Sequence, residues 1–246
     1  SSILTDNNIY SFNNLILNGS FDLDAGFIGW ERNNVTNIVK MSEITRDEVN
    51  ISEGLFYENA AKIGSGISNQ SSSIRYHLPV IPGHTYLITF KAIKYLTLKS
   101  NGIFKLSKVI RNRKGVPTYI DFGEADAPPK PLLYKYISKD AEPITKSSID
   151  EHNTTRYFSY FIAPSDLTEI SISFEAPKES EIILDGVMAF DLTETFGATP
   201  TSTTAFNDVV TMVDGFLGGY WEGGFSIPKK ITIGGKEEIR GAIKVR

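Results

Sequence analysis

The sequence predicts an all-β protein: a jelly-roll β-sandwich followed by a C-terminal amphipathic helix and a small β-hairpin. Short segments of alternating apolar and polar residues recur at roughly ten- to twenty-residue spacing as far as Asp191. Proline- and glycine-rich turns separate them, and none of the intervening stretches has the helical period that the crossovers of an α/β sheet would need. Beyond Asp191 the pattern changes to one apolar stripe of helical period and a Gly-rich turn.

The elements follow in chain order. NLILNGSFDLDAGFIGW, Asn14 to Trp30, is a strand running into an Asn-Gly turn that carries Asp22 and Asp24 and ends on a tryptophan. IRYHLPV leads to the turn IPGHT, where proline fixes φ and removes a donor. YLITFKAI then places Tyr86, Ile88 and Phe90 on one face and Leu87, Thr89 and Lys91 on the other. GIFKLSKVI and LLYKYIS are further strands, separated by KGVP and by the proline-rich DAPPKP, which reads as a long loop rather than a domain boundary. In RYFSYFI, Phe158 and Tyr160 oppose Tyr157 and Phe161, and in EISISFEA the face of Ile170, Ile172 and Phe174 opposes Ser171 and Ser173, a strand with one wet side. EIILDGVMAF is the last strand of a sandwich spanning residues 1–192. In the extension, 193–246, the stripe Phe206, Val209, Val210, Val213, Phe216, Leu217 follows a Thr/Ser cap and precedes Gly218-Gly219, as an amphipathic helix requires. KKITIGGKEEIRGAIKVR reads as a hairpin around Gly234-Gly235. So small a tail needs a surface to dock on, either its own sandwich or another subunit.

Composition narrows the function classes. A net charge of −4 on 246 residues leaves no basic footprint for nucleic acid. The absence of cysteine removes disulfides, thiolate metal sites and a cysteine nucleophile together. No run reaches the length of a membrane-spanning helix, so no membrane partner is expected. A chain opening on Ser1 is expected of a processed product or of a segment of a longer protein. Among His77, His84 and His152 there is no HExxH or i, i+4 pair, GSGIS is not a nucleophile elbow, and no phosphate-binding GxxxxGK[ST] loop exists. With 29 acidic residues, a glycosidase pair can be chosen freely, which gives such a choice no weight without geometry. Five Asn-x-Ser/Thr triplets, including one at Asn18, would accept glycans only on a eukaryotic secretory route.

Three stretches together carry a family resemblance. LILNGSFD followed by Gly-Trp resembles the first strand of carbohydrate-binding jelly rolls, VIPGHTYLITFKA is similar to their turn-and-strand segment, and EIILDGVMAFDL is similar to their closing strand. DLTETFGATPT with the helix after it resembles a segment of minor structural and tail proteins of bacteriophages infecting Gram-positive bacteria, here with a shortened turn at Gly197 to Thr201. The resemblance implies a structural calcium tying the first strand to the last, with carboxylates from Asp22 and Asp185, a carbonyl from Ser20, and Asp24 as an outside candidate. The same aspartates could instead accept backbone hydrogen bonds at the end of the sandwich.

A sugar site would be built from aromatics with polar neighbours. Tyr134 and Tyr136 share one face of LLYKYIS, Tyr76 lies with Arg75 and His77 in IRYHL, and Tyr57, Tyr95 and Tyr119 sit near turns, whereas Trp30 reads first as core. The resulting expectation is a non-catalytic adhesion module of a phage tail or baseplate, part of a virion and engaged in host recognition. It would bind a bacterial cell-surface polysaccharide and contact other tail or baseplate proteins, as a homo-oligomer with a trimer as the candidate state. Two alternatives stand beside it: a carbohydrate-binding module of a secreted, extracellular glycoside hydrolase, and a structural virion spacer without ligand.

Overall fold

The computed structural model describes residues 7–40, 45–46, 49–50, 59–95, 100–138, 141–197, 202–216, 219–223 and 226–232. In chain order the strands are β1 (Asn7–Asn13), β2 (Glu31–Asn33), β3 (Thr36–Lys40), β4 (Thr45–Arg46), β5 (Val49–Asn50), β6 (Asn59–Gly64), β7 (Ser72–Pro79) and β8 (Thr85–Lys94). They continue as β9 (Ile103–Arg111), β10 (Pro117–Ile120), β11 (Leu133–Lys135), β12 (Ile144–Lys146), β13 (Thr155–Ile162), β14 (Glu169–Ala176), β15 (Glu181–Asp191) and β16 (Ser226–Thr232). Two sheets face each other in a jelly-roll sandwich, one of five strands in the order β10-β9-β14-β7-β2 and one of seven in the order β12-β11-β13-β8-β15-β6-β3. Every pairing in both sheets is antiparallel.

Alternation sorts the side chains as the sequence pattern predicts. Tyr86, Ile88 and Phe90 of β8, Tyr157 and Phe161 of β13, and Ile170, Ile172 and Phe174 of β14 all enter the core between the sheets. Phe90 and Phe174 meet edge to face, with ring centroids 4.9 Å apart. Trp30 belongs to this core as well: it is 7% exposed, contacts Phe21 and Tyr76, and donates its indole N–H to the Asn18 carbonyl at 3.1 Å.

The other face of the seven-stranded sheet is buried too. Leu87, Phe158, Met188 and Phe190 form a second core with Leu192, Phe206, Val209, Val210, Val213, Tyr220 and Trp221. Helix α2 (Thr203–Thr211) supplies the middle of that set, with Ser202 as N-cap accepting the Ala205 N–H at 3.2 Å, and a π-helical turn over Met212–Phe216 extends it. The extension thus docks on its own sandwich, and β11, β13, β8 and β15 are strands buried on both faces. A short helix α1 (Leu192–Phe196) precedes it, capped by the Asp191 carboxylate, which accepts the Glu194 N–H at 2.9 Å.

Two details go beyond the sequence reading. The segment around KKIT pairs with the N-terminal strand: β1 and β16 form an antiparallel ribbon from Asn7↔Thr232 to Asn13↔Ser226. The remainder of the expected hairpin lies outside the described residues. In β15 the register shifts between Asp185 and Met188 around Gly186, whose φ is 64°. This bulge reverses parity, so Leu184 and Val187 both face the inner core. It is also where the Asn18-Gly19 corner meets β15: Gly19 accepts the Val187 N–H at 3.0 Å, and a Cβ on Gly19 would lie 2.0 Å from the Val187 carbonyl oxygen. Asn18 itself is buried and donates to the Gly26 and Ile28 carbonyls, so that triplet cannot carry a glycan in the folded protein.

Candidate functional site

Among the described residues the seven-stranded sheet is covered, and the outer face of the five-stranded sheet is the broad strand surface left for a ligand. Its register places Ser107, Ser171 and His77 in one row across β9, β14 and β7, and Lys105, Ser173 and Arg75 in the next. Glu31 of β2 sits opposite Arg75, and Tyr119 of β10 sits opposite Val109. Tyr119 does not stay over its own strand. Its hydroxyl shares a 2.7 Å hydrogen bond with His77 Nε2, and Arg75 Cζ lies 3.5 Å from its ring centroid, so the phenol leans over β9 and meets the His77 and Arg75 side chains reaching from β7 over β14. The two serines beneath make this possible. Ser107 and Ser171 are 5% and 0% exposed, and a larger side chain at either position would occupy the space in which these side chains meet.

Charged groups frame this patch. Arg111 forms a two-pronged pair with Glu169 at 2.8 and 2.7 Å. Its hydrogen bonds hold the Glu169 carboxyl below the usual carboxylate range, and Glu169 in turn pushes the guanidinium up. Lys105 pairs with Asp121 at 2.8 Å, and Glu31 lies 3.6 Å from His77 Nδ1. Arg75 Nε and Ser171 Oγ are buried with no hydrogen-bond partner among the described residues.

The expected ligand residues therefore divide. Arg75 and Tyr119 come together. Tyr76 points the opposite way, its ring 5.1 Å from Trp30 and its hydroxyl accepting the Leu17 N–H, because neighbours in a strand face opposite sides. Tyr134 and Tyr136 do lie on one side of the chain, but under the C-terminal extension. Tyr134 is 8% exposed and stacked between Phe158 and Tyr160, and the Tyr136 hydroxyl pairs with Thr211 at 3.0 Å. Tyr95 packs on the same core with Lys62 beside its ring. Tyr57 lies outside the described residues. Glu31 and the two serines were not expected as ligand residues from the sequence, and His77 entered only as a polar neighbour of Tyr76, although the alternation in IRYHL already groups His77 with Arg75.

The metal candidates sit at the end of the sandwich where the Asn18-Gly19 corner meets β15. Asp22 Oδ1 accepts the backbone N–H and the side-chain amide of Asn59 at 3.2 and 2.7 Å. Ser20 donates to Glu222 at 2.6 Å, and Asp185, fully buried, accepts the Gly186 N–H at 2.8 Å. Burial, with Glu222 and Asp185 nearby, pushes the Tyr220 phenol far up. Hard oxygen donors are present here, but among the described residues no three acidic or histidine side chains form a cation-sized group. A separate cavity of about 580 Å³ opens where Ile110, Ile120, Ile162 and Leu167 meet the Lys108–Asp126 ion pair.

No family model matches the sequence, and neither does any curated relative. Among solved structures, a domain of tailspike protein 4 from bacteriophage CBA120 aligns over 72% of this chain at 11% identity and a TM-score of 0.46, and this chain covers 21% of its length. A family 16 carbohydrate-binding module aligns over 72% at 11% identity and 0.44, and the C-terminal family 22 carbohydrate-binding module of a Clostridium thermocellum protein over 76% at 12% and 0.40; in both cases this chain covers 99% of the other. The likeness is one of fold.

Proposed function

We propose that the protein is a non-catalytic glycan-binding module whose binding surface is the outer face of the five-stranded sheet. The observation that carries this reading is the Tyr119–Arg75–His77 constellation. A flat aromatic–guanidinium stack offers contact to the C–H face of a sugar, while phenol, imidazole and guanidinium offer hydrogen bonds to its hydroxyls. Each such bond replaces one to water, so a single site of this kind is weak. Repetition of the module compensates for that. This supports the setting expected from the DLTETFGATPT resemblance: an oligomeric tail or baseplate protein of a virion, with a bacterial surface polysaccharide as its partner.

Two tests address the reading. Titrating soluble host-wall polysaccharide while following backbone amides should move those of β7, β9, β10 and β14; shifts located only elsewhere would refute the site. Light scattering should give a mass above that of one chain; a monomer at all concentrations would remove the multivalent part. A calcium ion held by Asp185, Asp22 and the Ser20 carbonyl is proposed as a stability element only. Its support is the 3.0 Å contact that brings the first corner onto the closing strand. EDTA should lower the melting temperature by about several degrees and calcium should restore it; an unchanged curve would exclude it.

A further inference from the structure

We infer that the ligand group recognised at Arg75 is an oxyanion carried on the glycan, a carboxylate or a phosphate, so that the module selects acidic polysaccharide over neutral. This rests on the reading of the five-stranded face as the binding surface. The argument begins with a count of charges there. Arg111 is neutralised by Glu169 and Lys105 by Asp121, both within 2.8 Å. Arg75 is not neutralised. Among the described residues its guanidinium makes no ion pair and no hydrogen bond, and its one contact of note is the Tyr119 ring at 3.5 Å. Its cross-strand partner Glu31 is turned to His77 Nδ1 at 3.6 Å instead.

This cation is also fixed in place. Nε is buried, and the guanidinium plane is held against a tyrosine that is itself anchored by the 2.7 Å bond to His77. A surface arginine without a partner ordinarily moves in water and needs none. One stacked on a ring with its inner nitrogen shut away from solvent presents only its outer N–H groups, in the planar fork that matches carboxylate or phosphate oxygens. The hydroxyl of Ser173 lies beside it in the same row, and the row continues to Lys105. A hydroxyl in line with the fork suits an anionic group lying across the strands.

The test compares binding of trigalacturonate, its neutral methyl ester and a glycerol phosphate trimer by calorimetry at neutral pH and low ionic strength. The panel is the wild-type chain with R75Q, R75K and the distant R113Q. At least one anionic probe should bind the wild type roughly tenfold more tightly than the ester, and which one shows whether carboxylate or phosphate is preferred. R75Q should bring that ratio to within about twofold of unity, R75K should retain part of it, and R113Q all of it. Melting curves equal to wild type establish that R75Q is folded. A wild-type ratio near unity, or a ratio that survives R75Q, overturns the inference. If the ester then moves the amides of β7, β9 and β14 as strongly as the acid, the binding surface stands and only its anion selectivity falls. If no probe moves those amides, both fall.

Discussion

Replacing Trp221 with alanine tests whether the C-terminal extension and the sandwich are one cooperative unit. Trp221 is fully buried, its ring centroid 5.4 Å from that of Phe190, and its indole N–H donates to the Phe12 carbonyl at 3.0 Å. Truncating a buried tryptophan costs about 3–5 kcal/mol in transfer and cavity terms. The orphaned Phe12 carbonyl adds about 1 kcal/mol, since water can enter part of the space left. A loss of about 4–6 kcal/mol is a large share of the roughly 5–15 kcal/mol that holds a folded protein together. For a chain of this size that is a fall in melting temperature of about 10–20 °C. Scanning calorimetry should show one transition, displaced as a whole, and W221F should recover most of the loss because it keeps the ring contact. A shift under about 3 °C, or a new low-temperature transition with the main peak unmoved, would show that the extension only rests on the sheet.

Other outcomes follow from single contacts. Y119A should weaken glycan binding by roughly tenfold to a hundredfold through loss of the aromatic surface and the Arg75 stack, as read by calorimetry; affinity within about twofold of wild type would remove Tyr119 from the site. S171L should have the same effect while leaving Tyr119 in the chain, since leucine fills the space between Ser107 and His77 in which Tyr119 and His77 meet; undiminished binding would contradict that geometry. Burial pushes the Tyr86 and Tyr134 phenols up to about 12. Their stabilising contribution is therefore complete below the ordinary tyrosine range and is lost as pH rises through the folded value, so ultraviolet titration should show these two ionising only with alkaline unfolding. Glu151 is held below the usual carboxylate range by hydrogen bonds from Lys146 and Lys135, so it stabilises above that range and the contribution is lost as pH falls through its folded value. E151Q should flatten the acid limb of the stability curve by a few tenths of a kcal/mol, the size expected of a half-exposed pair.

The legible part of the fold lay in period-two alternation, and the illegible part lay in what covers each face. YLITFKAI could be sorted into its two faces because one side of a strand is fixed by parity. That Leu87 is buried as well depended on α2 packing over it, a contact between residues more than a hundred positions apart. The same coverage removes Tyr134 and Tyr136 from the surface. Asp185 was visible only as a carboxylate in the last strand, and the role of Gly186 beside it in reversing parity required the register of β15 on β8. Asp191 and Glu194 formed a capping-box signal for α1 that lay inside what read as a strand end. The site was less legible than the fold. Tyr119 meets His77 only because the sheet order is β10-β9-β14-β7, and no local pattern reports sheet order.

The central claim is that the face carrying Tyr119, Arg75 and His77 binds glycan. A heteronuclear NMR titration of the wild-type chain with a soluble wall polysaccharide, repeated with Y119A, tests it most directly. The account predicts saturable shifts centred on β7, β9, β10 and β14 that Y119A abolishes while the spectrum remains that of a folded protein. Shifts centred on the Ile110–Ile162 cavity or on the Asp185 corner and indifferent to Y119A would contradict it.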